Sequence, residues 1–501
     1  MPSTAERLAA LRERFTVPSH LGQAMALLSW DQSTHMPPGG AEARGRQMST
    51  LARLMHQHVT DPALVELVES LEGDDLQGDD GALLRETRRQ LDRALKIPPE
   101  LIVAMTRQRV RGRQVWEQAR KADDFAAFAP ELRTAIDLAR QQAAALDDSK
   151  PAYDVLHDLY ERDSSAEKVA AVFDPLRGEL VELFGAIRDS GVRPDTSVLR
   201  REFAEAGQEA FAVETVKAMG YDFNRGRIDR TAHPFATTIG PGDVRITTRY
   251  QRNFLPSALF GTIHEAGHGM YNQNLPLEHA DTPLGSSVSL AVHESQSRMW
   301  ENLIGRSHAF WQGAYGRLRA TFPGVLDDVP LDDFVAAIND VRPSLIRVEA
   351  DEVTYHLHVM LRFELERALV DGSLAVDDLP GAWREKSREL LGIEPPDDRD
   401  GCLQDVHWSW GMFGYFPTYS LGTLMSVQLW EAMGRDLGDL EALVRAGDFA
   451  PILAWLVEHV HRHGSRYSPH DLLERATGAQ LSAEPYLRYA RAKYGALYRL
   501  G

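Results

Sequence analysis

Apolar residues recur at intervals of three and four along most of this chain, which is the spacing of one face of an α-helix. From Thr4 to about Ala218 the pattern repeats between short polar breaks, as in Leu8, Leu11 and Phe15. Prolines and glycines between Met36 and Arg44 predict a corner where one helix ends and the next begins. The sequence therefore predicts a succession of helices over this part of the chain, without an internal repeat or a long linker.

One segment shows a different period. Residues 231–239 and 243–250 carry alternating β-forming residues on either side of Gly240-Pro241-Gly242, which predicts a β-hairpin. An outer strand of a hairpin can hold an extended peptide through its backbone, so His233 and Arg245 are candidate substrate contacts. Exposed strand residues without such a role would look the same in the sequence.

Helical patterns return after the hairpin. One runs from Val288 to Ile304, and another is predicted to begin at Arg342 and continue to about Leu369. Segments rich in aromatic residues and glycine, around residues 401–408 and 414–422, interrupt the later helices. Such segments in otherwise regular sequence are where functional sites tend to lie.

Composition limits the classes of partner. The 73 acidic and 55 basic residues give a net charge of −18, which disfavours nucleic acid and anionic membranes. No apolar run approaches the roughly 20 residues of a membrane span, and the N-terminus does not resemble a secretory signal. The one cysteine, Cys402, cannot form an intrachain disulfide. We therefore expect a cytoplasmic protein with neither a membrane nor nucleic acid as partner.

The strongest chemical signal is His264-Glu265-Ala-Gly-His268. On a helix, positions i and i+4 share a face, so both imidazoles can reach one zinc ion. Glu265 could then act as the base that accepts a proton from the attacking water. The alternative is an ordinary amphipathic helix with two satisfied histidines. Apolar neighbours such as Phe260 and Ile263 disfavour it, because burying two histidines and a carboxylate without a ligand is costly.

A third ligand is not obvious from spacing alone. The motif does not continue to the third histidine of HExxHxxGxxH, since Gly269-Met-Tyr-Asn272 follows His268. Glu294, which lies 26 residues after His268 near the start of a predicted helix, could complete a set of two histidines and one glutamate. Taken alone, a glutamate in that position is more often a solvated helix charge.

Several motifs, in the same order along almost the whole chain, resemble those of the carboxypeptidase Taq family of zinc metallocarboxypeptidases. These motifs are His233-Pro-Phe, Asp243-Val-Arg245-Ile-Thr247, His264-Glu-Ala-Gly-His268, His293-Glu294-Ser-Gln296, Ile346-Arg347-Val-Glu-Ala-Asp351 and Gly401-Cys-Leu-Gln404-Asp405-Val-His407-Trp408. The segment with Trp30-Asp-Gln and Met36-Pro-Pro-Gly-Gly-Ala is also similar to the family. Six ordered motifs are far more specific than HExxH alone.

The resemblance implies a mainly α, neurolysin-like fold in which two helical lobes flank a deep groove, with one small β-hairpin near the metal helix. Residues 1–501 would form a single catalytic unit of two interleaved lobes. Residues 1–220 would be the mostly helical N-terminal portion, and residues 221–501 would bind metal and substrate. The resemblance also implies a homodimer with one zinc ion per subunit, which cobalt can replace.

The implied activity is removal of single residues from peptide C-termini, with broad specificity and poor action on C-terminal proline. Glu294 becomes the third metal ligand, and Arg347 becomes the anchor for the substrate carboxylate, since a guanidinium binds a carboxylate through two hydrogen bonds. Without the resemblance, a structural pair of Arg347 with Glu349, Asp351 or another acidic residue would be the preferred interpretation. The donor to the oxyanion stays open among Tyr419, Tyr415 and His407. Further substrate contacts are expected at His233, Asp243, Arg245, Thr247, Gln404 and Asp405.

Two other functions remain open at this point. An oligoendopeptidase or peptidyl-dipeptidase would use the same zinc site without a carboxylate anchor. A peptide-binding protein without activity would lack a base, whereas Glu265 is present.

Overall fold

The predicted amphipathic helices are present and dominate the computed structural model, which describes residues 2–500. Helices α1 to α9 cover the N-terminal portion, as the sequence predicts. Their bounds are α1 Thr4–Thr34, α2 Ala41–Val59, α3 Pro62–Leu71, α4 Gly78–Lys96, α5 Pro99–Ala122, α6 Phe125–Asp147, α7 Ala152–Asp158, α8 Ala166–Asp189 and α9 Glu205–Met219. The predicted corner between α1 and α2 is a short 3-10 turn at Pro38–Gly40.

The C-terminal portion is also mainly helical. Its helices are α10 Leu255–Gln273, α11 Leu290–Arg298, α12 His308–Thr321, α13 Leu331–Ile338, α14 Thr354–Asp371, α15 Leu379–Leu391, α16 Pro417–Leu437, α17 Leu440–Ala446, α18 Ala450–His459, α19 Pro469–Thr477 and α20 Glu484–Tyr498. The prediction of a mainly α fold is confirmed.

A small sheet lies against the helix that carries the HExxH motif. Strands β2 (Ala236–Gly240) and β3 (Asp243–Thr248) form the predicted antiparallel hairpin. A third strand, β1 (Ile228–Arg230), pairs in parallel with β3, so the order is β1-β3-β2. The sequence did not indicate β1, because three residues are too few to show an alternating pattern. The central strand β3 packs on α10, where Thr262 Oγ1 donates to Thr248 Oγ1 at 2.9 Å.

The main apolar core joins most of the helices, including α6, α8, α10, α14, α16 and α20. Cys402 is buried in this core, as a small apolar residue would be. A second, smaller apolar cluster joins α1, α3 and α4. Among the described residues, no helix combines the length and the apolar character that a bilayer span requires.

The predicted long helix from Arg342 is wrong at its start, because α14 begins only at Thr354. The side chain of Asp351 accepts hydrogen bonds from the backbone N–H groups of Val353 and Thr354, both at 2.9 Å, and so begins the helix there. Residues 342–353 instead form an irregular segment with one 3-10 turn at Arg347–Glu349. This irregular path lets the Arg347 side chain turn inward.

The predicted helix from Val288 to Ile304 is present with a local change. It begins at Leu290, where the Ser289 side chain caps the first turn, and after Arg298 it continues as a π-helical segment at Met299–Gly305. π-helical turns inside α-helices are frequent at functional sites.

Candidate active site

The two histidines of the HExxH motif lie on one face of α10. The ring centroids of His264 and His268 are 4.9 Å apart, and the side chains keep 19% and 16% of their surface exposed. Apolar residues of α10 pack into the core on the other side, which places the two rings at an accessible edge of a buried helix.

The Glu294 carboxylate of α11 faces both rings. Its Oε2 atom lies 3.7 Å from His264 Nε2 and 3.5 Å from His268 Nε2. One ligand atom from each of the three residues lies within 4.8 Å of the others, which is close enough for all three to bind one ion. The structure therefore brings together the three predicted metal ligands, although they come from two helices.

Close helix packing sets the position of α11. A Cβ atom added at Gly267 of α10 would lie 2.7 Å from Ser297 Cα, and one added at Gly422 of α16 would lie 2.6 Å from Glu294 Cβ. Both distances are too short for any side chain larger than that of glycine. Helix α11 therefore packs closely between α10 and α16, each of which has a glycine at the contact. The distance from Glu294 to the histidines therefore depends on these two glycines.

Neighbouring groups orient both imidazoles. His264 Nδ1 lies 2.9 Å from Glu301 Oε2, and a carboxylate only accepts, so Nδ1 carries a hydrogen and Nε2 is the nitrogen that faces Glu294. His268 Nδ1 lies 2.5 Å from His293 Nδ1, whose other nitrogen lies 3.0 Å from Asn272 Oδ1. The His293 backbone carbonyl oxygen, 3.1 Å from His268 Nδ1, can only accept, so Nδ1 carries a hydrogen and Nε2 is again the nitrogen that faces Glu294. Such partners are usual for histidines that bind metals.

The electrostatics suit a divalent cation. Burial opposes ionisation of Glu294, but Arg298 and the two histidines outweigh it and lower the pKa of the carboxyl. Burial also disfavours a charged His264, yet Glu294 and Glu301 prevail and raise its pKa. Carboxylates that attract a proton to this position also attract a metal ion. Two imidazole nitrogens and one carboxylate oxygen are a donor set that zinc accepts, so these residues fit the ion.

Glu265 lies beside this group and is 8% exposed. Burial raises the pKa of its carboxyl, while the nearby histidines act in the opposite direction. A carboxylate with raised proton affinity, next to the position where a water would be activated, suits a general base.

Arg347 is buried in a cluster of polar groups. Its Nε and NH2 groups donate to Asp405 Oδ1 at 3.1 and 2.9 Å, and its NH1 donates to Tyr355 Oη at 2.9 Å. Arg362 of α14 donates to the other oxygen of Asp405 at 2.6 Å. Burial opposes ionisation of Asp405, but the two arginines prevail and hold its pKa well below the usual range.

The three candidate oxyanion donors lie together near the start of α16. His407 Nε2 is 3.3 Å from Tyr419 Oη, and the rings of Tyr415 and Tyr419 are 5.3 Å apart. Burial lowers the pKa of His407 to about 3, so its ring is neutral. Burial raises the pKa of Tyr419, and the Glu294 charge adds to that rise. The nearby Arg347 charge acts in the opposite direction but does not outweigh burial, so Tyr419 keeps its hydroxyl proton.

The hairpin residues have separate environments. His233 is exposed on the loop before β2. Arg245 forms two hydrogen bonds with Asp243, at 2.8 and 2.7 Å, and its guanidinium lies 4.2 Å from the Trp30 ring centroid. Thr247 is fully buried, and its hydroxyl bonds the backbone of residue 235. The structure therefore does not present Thr247 to a substrate, whereas the other three remain candidates.

Gln404 and Asp405 serve the segment that contains Arg347. Gln404 Oε1 accepts from the Arg347 backbone N–H at 2.9 Å, and its amide group donates to Leu345 O and Asp400 O at 3.0 and 2.9 Å. All these bonds lie within the protein, so Gln404 holds the irregular segment in place. Asp405 holds the guanidinium itself.

Sequence reasoning missed Glu301 and Arg298. Arg298 lies four residues after Glu294 and Glu301 seven residues after it, so all three share one face of a helix. That spacing was visible in the sequence and could have indicated the partners of the metal group. Tyr355, which links Arg298 to Arg347, could not be recognised in this way, because it lies on another helix.

Replacement of Gly267 by alanine is expected to weaken metal binding and to destabilise the fold by about 1–3 kcal/mol, as overpacking does. The new Cβ would push α11, and with it Glu294, away from the histidines. Gly261→Ala on the same helix is the matched control, since a Cβ there meets no atom within 4 Å. Denaturant unfolding and competition with a chelator measure the two effects. Equal behaviour of the two variants would contradict the role of this contact.

The fold and this group of side chains define a helical metallopeptidase whose metal group combines an HExxH helix with a glutamate from a second helix. The family model for "Carboxypeptidase Taq (M32) metallopeptidase" matches residues 10–494. The chain belongs to this family, whose members are metallocarboxypeptidases and thus peptide hydrolases.

Individual relatives agree over nearly the full length. The chain is 48% identical to thermostable carboxypeptidase 1 of Thermus thermophilus over 96% of each chain. It is 38% identical to carboxypeptidase 1 of Bacillus subtilis, over 96% of this chain and 97% of the relative. The crystal structure of an M32 carboxypeptidase from Deinococcus radiodurans is 42% identical and superposes with a TM-score of 0.96, covering 99% of this chain and 100% of that one.

Proposed function

We propose that this protein is a zinc-dependent carboxypeptidase that removes single residues from peptide C-termini, with broad specificity and poor action on C-terminal proline. The observation that carries the proposal is the convergence of His264, His268 and Glu294, with Glu265 beside them. Arg347, which donates to Tyr355, supplies a buried cation in addition. The proposal includes a cytoplasmic homodimer that acts on peptides, and the net charge of −18 disfavours nucleic acid and anionic membranes as partners.

His264 Nε2, His268 Nε2 and Glu294 Oε2 would hold the metal. When bound, zinc supplies a Lewis acid and lowers the pKa of water at this site. Glu265 accepts the proton of the attacking water at its carboxylate and later gives it to the leaving amine. Tyr419 or Tyr415, each with its hydroxyl proton in place, donates a hydrogen bond to the developing oxyanion. His407 Nε2 lies 3.3 Å from Tyr419 Oη, and a hydrogen bond donated by this nitrogen would orient the hydroxyl and leave its proton free for the oxyanion.

A carboxypeptidase must also recognise the free end of its substrate. The metal, the general base and the oxyanion donor act on any peptide bond that lies between them. Cleavage one residue from the C-terminus therefore requires a fixed cation that binds the terminal carboxylate one residue beyond the scissile bond. We assign this part to Arg347. His233, Arg245 and the edge strand β2 would hold the backbone of the preceding residues.

The charges of the arginine cluster support this assignment. Asp405 is shared by Arg347 and Arg362, so one carboxylate faces two guanidinium groups. Burial lowers the pKa of Arg362 to about 10, and that of Arg347 stays above its usual value, so both are charged at neutral pH. The excess positive charge, in a buried site, would be balanced by the carboxylate of a substrate.

The first test compares free-acid and amidated forms of the same peptides. We expect the wild-type protein to cleave the acids and to leave the amides almost uncut, as mass spectrometry of the products would show. Arg347→Lys should lower kcat/KM on the acids by about 10–100-fold, because one or more charge-assisted hydrogen bonds are lost while the charge is kept. Arg342→Lys, at an exposed arginine of the same segment, is the matched control and should behave as wild type.

Equal cleavage of the free-acid and amidated peptides by the wild type would show that the protein does not recognise the terminal carboxylate. Internal or dipeptide cleavage products would then support an oligoendopeptidase or a peptidyl-dipeptidase. Reconstitution of the metal-free protein with zinc, cobalt or magnesium, followed by the same assay, identifies the metal that supports activity.

A further inference from the structure

Arg298 lies one helical turn beyond Glu294 and contacts it directly. Its Nε donates to Glu294 Oε1 at 2.6 Å, and its NH1 lies 3.4 Å from Glu301 Oε2. Its guanidinium lies 4.7 Å from the ring centroid of Tyr355, and the side chain is 16% exposed. One nearly buried cation thus contacts both the carboxylate of the metal group and the carboxylate that orients His264.

The two oxygens of Glu294 have different neighbours as a result. Oε1 is held by Arg298, whereas Oε2 faces the Nε2 atoms of both histidines at 3.7 and 3.5 Å. Ser297 Oγ also lies 3.2 Å from Oε2, on the side of α11 itself. A carboxylate without a partner at Oε1 could rotate about its last bond and offer either oxygen or both. The hydrogen bond from Arg298 opposes that rotation.

We propose that Arg298 is a positioning residue for the metal centre, which holds Oε1 so that Glu294 presents Oε2 alone to the ion. The inference rests on the proposed metal group of His264, His268 and Glu294. The guanidinium also holds the carboxylates of Glu294 and Glu301 close together, since it contacts both. Its several N–H groups allow these contacts while the guanidinium lies over the Tyr355 ring, which a lysine ammonium could not reproduce.

The experiment compares Arg298→Met and Arg298→Lys with wild type in two measurements that do not use activity. Competition with a chromogenic chelator measures the Kd for zinc, and visible absorption of the cobalt-loaded protein reports the number of ligand atoms. We expect Arg298→Met to bind zinc about 10–100-fold more weakly, as loss of a partner of a metal ligand typically does. Its cobalt spectrum should change, because Glu294 can now use both oxygens.

Arg298→Lys keeps the positive charge and a long side chain, so it should disturb the fold less than Arg298→Met does. It therefore tests the positioning role if Arg298→Met does not fold. We expect it to bind zinc more weakly than wild type and to alter the cobalt spectrum as well. The matched control is Arg7→Met, which removes another partly buried arginine, paired with Asp74, and should leave both measurements unchanged.

Wild-type Kd and cobalt spectrum in both Arg298 variants would overturn the inference. A change in Arg298→Met with wild-type behaviour of Arg298→Lys would also overturn it, because charge alone would then be sufficient. A wrong assignment of the metal ligands would give a different result. In that case Glu294→Gln, in an otherwise wild-type protein, would bind zinc with the wild-type Kd.

Discussion

Glu265→Gln is expected to lower kcat by about 10²–10⁴-fold, the usual contribution of a positioned general base, without loss of metal. The amide has the size of the carboxylate but cannot accept the proton of the attacking water. Since burial raises the pKa of Glu265, a neutral side chain at this position should not destabilise the fold. A peptide hydrolysis assay measures kcat, elemental analysis measures the metal content, and thermal unfolding measures the stability of the purified variant.

Glu441→Gln makes the same chemical change at an exposed helical glutamate and serves as the control for this variant. It should retain wild-type kcat and metal content. Near-normal turnover in Glu265→Gln would remove Glu265 from the mechanism. Loss of metal together with activity would instead mean that the residue supports the ion.

Glu294→Ala and Glu294→Gln are expected to lose most of the bound metal and, with it, activity. A site with two histidines alone lacks the third protein ligand that catalytic zinc sites have. The affinity for zinc should therefore fall by more than the roughly 10–100-fold that follows the loss of a residue hydrogen-bonded to a ligand. The glutamine variant keeps the volume of the side chain and a partner for Arg298, which separates loss of the ligand from loss of packing.

The consequence for stability can be measured independently. An ion that binds only the folded state stabilises it, so added zinc should raise the Tm of metal-free wild type and leave the Tm of both variants almost unchanged. Full metal content in either variant after dialysis against a chelator would refute the ligand set. Loss of metal in His264→Ala with retention in Glu294→Gln would point to a different third ligand.

The sequence by itself determined the features that depend on local geometry. The period of its apolar residues predicted a succession of helices from Thr4 to about Ala218, where α1 to α9 lie, and the alternation around Gly240-Pro241-Gly242 predicted the β2–β3 hairpin. His264 and His268 share a face of α10 for the same local reason, since four residues make about one helical turn. The order of the motifs was also enough to indicate the family, which the comparisons confirm.

The start of α14 shows where local reasoning failed. Residues 342–353 have a helical pattern of apolar positions, yet Asp351 caps the helix from inside that pattern and Gln404 holds the upstream segment through the Arg347 backbone. Gln404 lies 57 residues further along the chain, so its effect could not be read from a window of neighbouring residues.

Only the tertiary structure decided which groups meet at the site. Glu294 reaches the histidines because Gly267 and Gly422 let α11 approach closely on both sides, and the free nitrogens of His264 and His268 depend on Glu301 and His293. The same holds for the pairing of Arg347 with Asp405 and Tyr355. Contacts between distant segments depend on how whole helices pack, and a periodic pattern specifies the buried face of a helix without specifying its neighbour.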